Sequence, residues 1–153
     1  MTFCSTKPRK VAKVVIIDTS SLEWKVLILQ RVARDIRPIS PHGHDFPGGH
    51  VRLGEMKNPR LGAIREVREE TDLVVAMNAL MTLSIEPLSD GSGNIYWYLA
   101  EFPGGEVRIQ PREHDFFFWK EIGSLTPNEL TPSGWMENLI RMGVEKLEKR
   151  FTS

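Results

Sequence analysis

One cysteine among 153 residues leaves no partner for an intramolecular disulfide. A disulfide-stapled scaffold is thereby excluded, and a reducing compartment is the natural setting. Cys4 itself reads as a thiol in a loose terminus. No apolar run approaches the roughly 20 residues needed to span a bilayer. Residues 1–10 lack the hydrophobic segment of a secretory signal, so no membrane partner and a cytoplasmic location are expected. There is no excess of either charge: 20 basic and 20 acidic side chains cancel, leaving no overall field to gather long nucleic acid or an acidic membrane surface. Helix-turn-helix patterns, basic DNA-reading segments, repeats and low-complexity tracts are also lacking. An anionic substrate must therefore be held by local chemistry.

What is present suits one ordinary domain over residues 1–153, with 41% hydrophobic residues to build its core. Residues 10–17 (KVAKVVII) and 24–30 (WKVLILQ) read as neighbouring strands, with the hairpin as one pairing. Residues 31–45 carry prolines, a glycine, two histidines and no sustained period, which marks a long loop of the kind that often binds ligands. Asn58-Pro59 is a helix start, asparagine capping free N–H groups and proline fitting the first helical position. The helix is expected to run to about Thr71, burying Leu61, Ile64, Val67 and Thr71 and presenting Glu66, Glu69 and Glu70 on the opposite side. Further strands are expected at 79–86, 95–102 and 116–120, with a turn at 103–105 into residues 106–110. Trp135, Leu139, Ile140, Val144 and Leu147 recur at the spacing of a closing amphipathic helix. Strands and helices mix without βαβ alternation, which predicts an α+β fold with a mixed or antiparallel sheet flanked by helices.

The informative stretch is residues 46–74, FPGGHVRLGEMKNPRLGAIREVREETDLV. Hydrolysing a diphosphate calls for divalent cations that neutralise oxygens and orient the leaving group, and magnesium prefers hard oxygen ligands. Three glutamates on one helical face meet that demand. A Gly-Gly turn lets backbone carbonyls approach closely, so Gly49 is a candidate for a further oxygen. Glu55 and Arg65, opposite in charge, are candidates to pair and hold loop to helix.

This stretch resembles the Nudix box, G-x5-E-x7-R-E-U-x-E-E-x-G-U, where U is aliphatic. Gly49 and Glu55 match its opening, and Arg65, Glu66, Val67, Glu69, Glu70 and Leu73 match its close. Two departures stand out: nine residues rather than seven separate Glu55 from Arg65, and Asp72 replaces the closing glycine. The additional pair falls around residues 57–59, where a longer loop costs little, and aspartate tolerates the left-handed conformation. Neither departure removes a carboxylate.

The resemblance implies a Nudix-like α/β/α sandwich and a pyrophosphohydrolase dependent on magnesium, with manganese as the alternative. It implies that Glu69 and Glu70 bind metal, beside the Gly49 oxygen suggested by the turn, and that Glu66 binds it or helps deprotonate the attacking water. Glu113, six residues before Trp119, corresponds by one offset to a family glutamate that supplies a ligand or the base, with His114 and Asp115 as fallbacks. The many dimeric relatives make a homodimer an expectation from resemblance alone.

Outside the box, Arg31, Arg34 and Arg37 precede it in the long loop, and the arginine fork matches phosphate oxygens. His44 or His50 is a candidate phosphate or base contact; the irregular spacing of His42, His44 and His50 without cysteine argues against zinc. Trp135 is the preferred stacking candidate for a base, and core packing is the ordinary expectation for Trp97, Tyr98, Phe117 and Trp119. The substrate expected is nucleotide-like, with nucleoside triphosphates favoured. ADP-ribose, nucleotide sugars and dinucleoside polyphosphates are the alternatives, Pro87 lying fifteen residues after Asp72 near a position linked with ADP-ribose activity. A non-catalytic nucleotide sensor is the rival of another class. If the longer loop displaces Glu55 and Arg65, shortening it raises activity; if that loop is native to the site, shortening lowers it.

Overall fold

A computed structural model describes residues 8–152; Cys4 and the first seven residues of the stretch 1–10 lie outside it. Seven strands form one mixed sheet: β1 (Arg9–Asp18), β2 (Lys25–Arg31), β3 (His44–Asp45), β4 (Gly48–His50), β5 (Met81–Pro87), β6 (Gly93–Glu101) and β7 (His114–Glu121). β1 and β2 do form the hairpin, with Ile17 opposite Val26. β1 then pairs in parallel with β6 over Arg9–Ile17 and antiparallel with β4, while β2 takes β3 and β7 as antiparallel partners.

The alternation along β1 and β2 explains the two layers beyond the sheet. Ala12, Val14, Ile16, Leu27 and Leu29 face one cluster, whereas Val15, Ile17, Val26 and Ile28 face the other. Both strands read as continuous apolar runs because both faces are covered. Helix α1 (Pro59–Thr71) covers the first face with Ala63 and Val67, and α2 (Trp135–Thr152) covers the second with Met136, Leu139, Ile140 and Leu147. The result is an α/β/α sandwich. Among the described residues no helix is long and apolar enough to cross a membrane.

Two local expectations, the Asn58 cap and the buried stripe of α1, need correction. Pro59 opens α1, but the Asn58 side chain makes no capping bond; its carbonyl accepts from the Leu61 N–H at 3.0 Å. The buried stripe of α1 is Ala63, Val67, Glu70 and Thr71 rather than one led by Leu61, which stays 44% exposed. The stripe is rotated because α1 lies along β1 and β4, so Glu70 points at the sheet instead of sharing a solvent face with Glu69. Residues 106–110 form no strand, although the Arg108 N–H bonds the Thr71 carbonyl and the Gln110 N–H the Glu70 carbonyl, seating the segment against the end of α1. Asp72 closes α1 in the left-handed region at φ 65°, the conformation a glycine would adopt most cheaply.

Candidate active site

The site begins where β4 crosses β1. Gly48 has φ 149°, and a Cβ there would lie 2.3 Å from the Ala12 carbonyl oxygen and 2.5 Å from Lys13 Cα. Only glycine lets the two backbones approach so closely. The Gly48 N–H is thereby aimed at α1, where it donates to Glu70 Oε1 at 3.0 Å. A Cβ on the next residue, Gly49, would stand 2.7 Å from the Glu66 carboxyl carbon, so the glycine backbone and that carboxylate lie in contact.

Arg65 organises the outer carboxylates. Its Nε and Nη2 donate to the two Glu55 oxygens at 2.8 and 2.9 Å, Nη1 reaches Glu66 at 3.0 Å and Glu69 at 3.1 Å, and Nη2 also donates to the His50 carbonyl at 3.0 Å. The bond from Arg65 holds the Glu55 carboxyl below its ordinary value, and Glu55 in turn holds the guanidinium proton above its own. The two additional box residues leave this pair joined: they fold into a turn in which the Asn58 N–H bonds the Glu55 carbonyl and Lys10 Nζ the Met56 carbonyl. Deleting two residues from 56–59 is therefore expected to separate Glu55 from Arg65 and lower turnover, as steady-state kinetics would show. Higher turnover would mean that the longer loop impairs the site.

Beneath these groups lies a buried ionic network. Asp45 accepts from Lys13 Nζ at 2.7 Å and pairs with Arg31 at 3.0 Å and His114 Nε2 at 3.1 Å. Burial pushes its carboxyl up, but Lys13, the bond from His114 and Arg31 outweigh burial and hold it far below the carboxylate range. Glu70, 7% exposed, has the opposite balance. Burial pushes it up to about 8, with Lys13 and the Gly48 N–H drawing it part of the way back and the charges of Asp45 and Glu66 adding to the rise.

Glu70 Oε2 is the buried side-chain polar atom that lacks a hydrogen bond among the described residues. His114 Nδ1 stands 3.3 Å away, near enough for an ion pair but not in hydrogen-bonding geometry. Ligand atoms of Glu70, Glu113 and His114 lie within 4.8 Å of one another. These three line a cleft of about 600 Å³ with Glu66, Glu69 and the exposed Arg52, Arg68 and Arg112. An orphaned oxygen in an acidic, partly open cleft is what a divalent cation would satisfy, so the donor set fits one.

A second cavity, about 310 Å³, adjoins the network on its other side through Lys13, Arg31 and Asp45. Its wall includes Trp97 and Trp135, with ring centroids 5.6 Å apart. Trp97 is itself 4% exposed and donates to Glu86 at 3.1 Å, while Trp135 is anchored to the Ile39 carbonyl at 3.0 Å.

The structure thus brings Arg31, Arg37, His44 and Trp135 to one cavity and Glu66, Glu69, Glu70 and Glu113 to one cleft. Arg31 is committed to Asp45, and His44 Nδ1 lies 2.9 Å from the Leu130 carbonyl. Arg34 stays outside the cavity and bonds the Arg112 carbonyl, Asp115 is exposed, and His50 lies against Arg9. Sequence reasoning missed Lys13 and Asp45. The signal for Lys13 was a lysine inside an otherwise apolar strand run, which burial permits only beside an anion; Asp45 carried no comparable mark.

The family model described as NUDIX domain matches residues 7–140. Solved structures with the same fold include an Ap4A hydrolase from C. elegans, with a TM-score of 0.68 and 23% identity over 91% of this chain and 98% of that one. A MutT NUDIX hydrolase from Burkholderia pseudomallei gives 0.65 and 21% over 90% and 98%. The NUDIX domain of Shewanella oneidensis NrtR, solved with ADP ribose, gives 0.70 and 18% over 93% and 90%. A search of curated proteins finds no significant match. With a family model spanning most of its length and the box residues assembled around α1, the chain belongs to the NUDIX domain family.

Proposed function

We propose that the protein is a metal-dependent pyrophosphohydrolase that cleaves a nucleoside triphosphate to the monophosphate and pyrophosphate. The observation that carries this reading is the juxtaposition of an acidic cleft with an aromatic-walled cavity, joined through the Asp45–His114 bond. A cavity of about 310 Å³ suits one nucleoside. Trp135 offers a face for the base, and Arg37 a fork for the phosphate nearest the sugar. The remaining phosphates extend into the cleft, where Arg52, Arg68 and Arg112 offset their charge.

Glu66, Glu69, Glu70 and Glu113, with the Gly49 carbonyl, would hold magnesium or manganese. When bound, such an ion neutralises the anhydride oxygens and activates water. Glu66 or Glu113 takes the proton from that water, and Arg65 keeps Glu66 and Glu69 oriented. ADP-ribose is the second reading, favoured by Pro87 on the cavity wall and by the ADP ribose complex of the NrtR domain.

Replacing Trp135 with alanine is expected to raise KM for the preferred nucleotide about tenfold with little change in kcat, the scale of losing one base-stacking face. Product analysis by chromatography decides the cleavage: monophosphate plus pyrophosphate is expected. An unchanged KM would remove the base from this cavity, and release of orthophosphate alone would contradict the proposed bond.

A further inference from the structure

His114 Nε2 sits 3.1 Å from Asp45 Oδ2, and that carboxylate, held ionised by Lys13 and Arg31, can only accept. The Nε2 edge therefore donates to Asp45, which leaves the Nδ1 edge facing Glu70 Oε2 at 3.3 Å. No hydrogen bond joins these two atoms, and the oxygen belongs to a side chain only 7% exposed. Ligand atoms at right angles on an octahedral cation, each bonded at about 2.1 Å, lie about 3 Å apart. The observed separation is close to that edge, and Glu113 is near enough to supply a third donor.

The geometry points to His114 Nδ1 as a nitrogen ligand in the metal centre, beside Glu70 Oε2 and Glu113, with Asp45 and Lys13 as the groups that fix its ring. This assignment rests on the hydrolase reading and changes the ion the site selects. Magnesium retains oxygen ligands and waters, and an imidazole nitrogen adds little to its binding. Divalent transition ions accept imidazole readily, so one nitrogen shifts preference toward manganese or cobalt. A carboxylate behind the imidazole is the usual arrangement for a metal-bound histidine, because it fixes the tautomer and raises ligand basicity. Asp45 is thus a positioning residue: it touches the ring rather than the ion.

The test is pulsed electron paramagnetic resonance on the full-length protein loaded with Mn2+, with histidine carrying either 14N or 15N. A histidine nitrogen coupling that changes with the isotope is expected in the unaltered protein, which makes the result independent of whether a variant folds. In His114→Asn the coupling should vanish and the Mn2+ dissociation constant rise about tenfold, with Mg2+ affinity changed much less. Mn2+ bound through oxygen alone, in a protein that still hydrolyses its substrate, would overturn the nitrogen ligand and leave the hydrolase reading standing. Persistence of the coupling in His114→Asn would also overturn it. Failure to bind Mn2+ together with absence of turnover would overturn both.

Discussion

Glu70→Gln is expected to remove about 10²–10⁴-fold of turnover while making the metal-free protein more stable above neutral pH. The two effects have one origin. Glu70 is a carboxylate placed where burial resists its ionisation, with its proton affinity raised from 4.5 to about 8. A carboxyl whose folded-state value lies above its unfolded value favours folding least when ionised, so stability falls as pH rises from about 4.5 toward 8 and then levels off. The displacement corresponds to on the order of 4 kcal/mol at pH 8. Glutamine keeps an oxygen for the Gly48 N–H and turns an amide N–H toward His114 Nδ1, so it fills the place without the charge. Thermal melts in chelator should separate variant and parent by roughly 5–10 °C at pH 8 and much less at pH 5. Added Mg2+ should raise the melting temperature of the parent alone. Retained turnover in the variant would remove Glu70 from the mechanism, and equal melts at both pH values would remove the strain assigned to it.

Asp45→Asn should act in the opposite sense. Asp45 is the shared anion of Lys13, Arg31 and His114, and the side chains of Lys13 and Arg31 are only 11% and 18% exposed. Removing its charge strands two sheltered cations, and such a break costs about 3–5 kcal/mol. Denaturant unfolding should show that loss at neutral pH. Because the folded-state proton affinity of Asp45 lies far below the ordinary one, its contribution is complete above the ordinary carboxylate value and is lost as pH falls through the acid range. The variant should therefore differ most from the parent near neutrality and converge with it in acid. A loss under 1 kcal/mol at pH 7 would show that Asp45 does not anchor the network.

The fold was legible where one principle dominates locally. Short β-branched apolar runs located β1 and β2, and Pro59 with the box pattern located α1. The box also pointed to carboxylates on α1, but a helical wheel treats all solvent directions alike and could not tell that Glu70 faces β4. That distinction depends on how α1 crosses the sheet, which is a tertiary fact. The cavity residues Arg37 and Trp135 were named from their neighbours in sequence, yet 98 positions separate them and only the packing of the loop against the start of α2 brings them together. The Lys13–Asp45–His114 chain was the least accessible feature, because its members come from β1, β3 and β7 and form no motif along the chain.

The most direct test of the central claim is turnover of a panel of nucleoside triphosphates, ADP-ribose, nucleotide sugars and dinucleoside polyphosphates by the purified protein. Each is assayed with Mg2+, with Mn2+ and with chelator, and the products are resolved. Metal-dependent cleavage of a phosphoanhydride bond is expected, fastest with a nucleoside triphosphate, abolished by chelator and restored by added metal. No turnover of any compound by a folded protein that binds the ion would contradict it and leave nucleotide binding without hydrolysis.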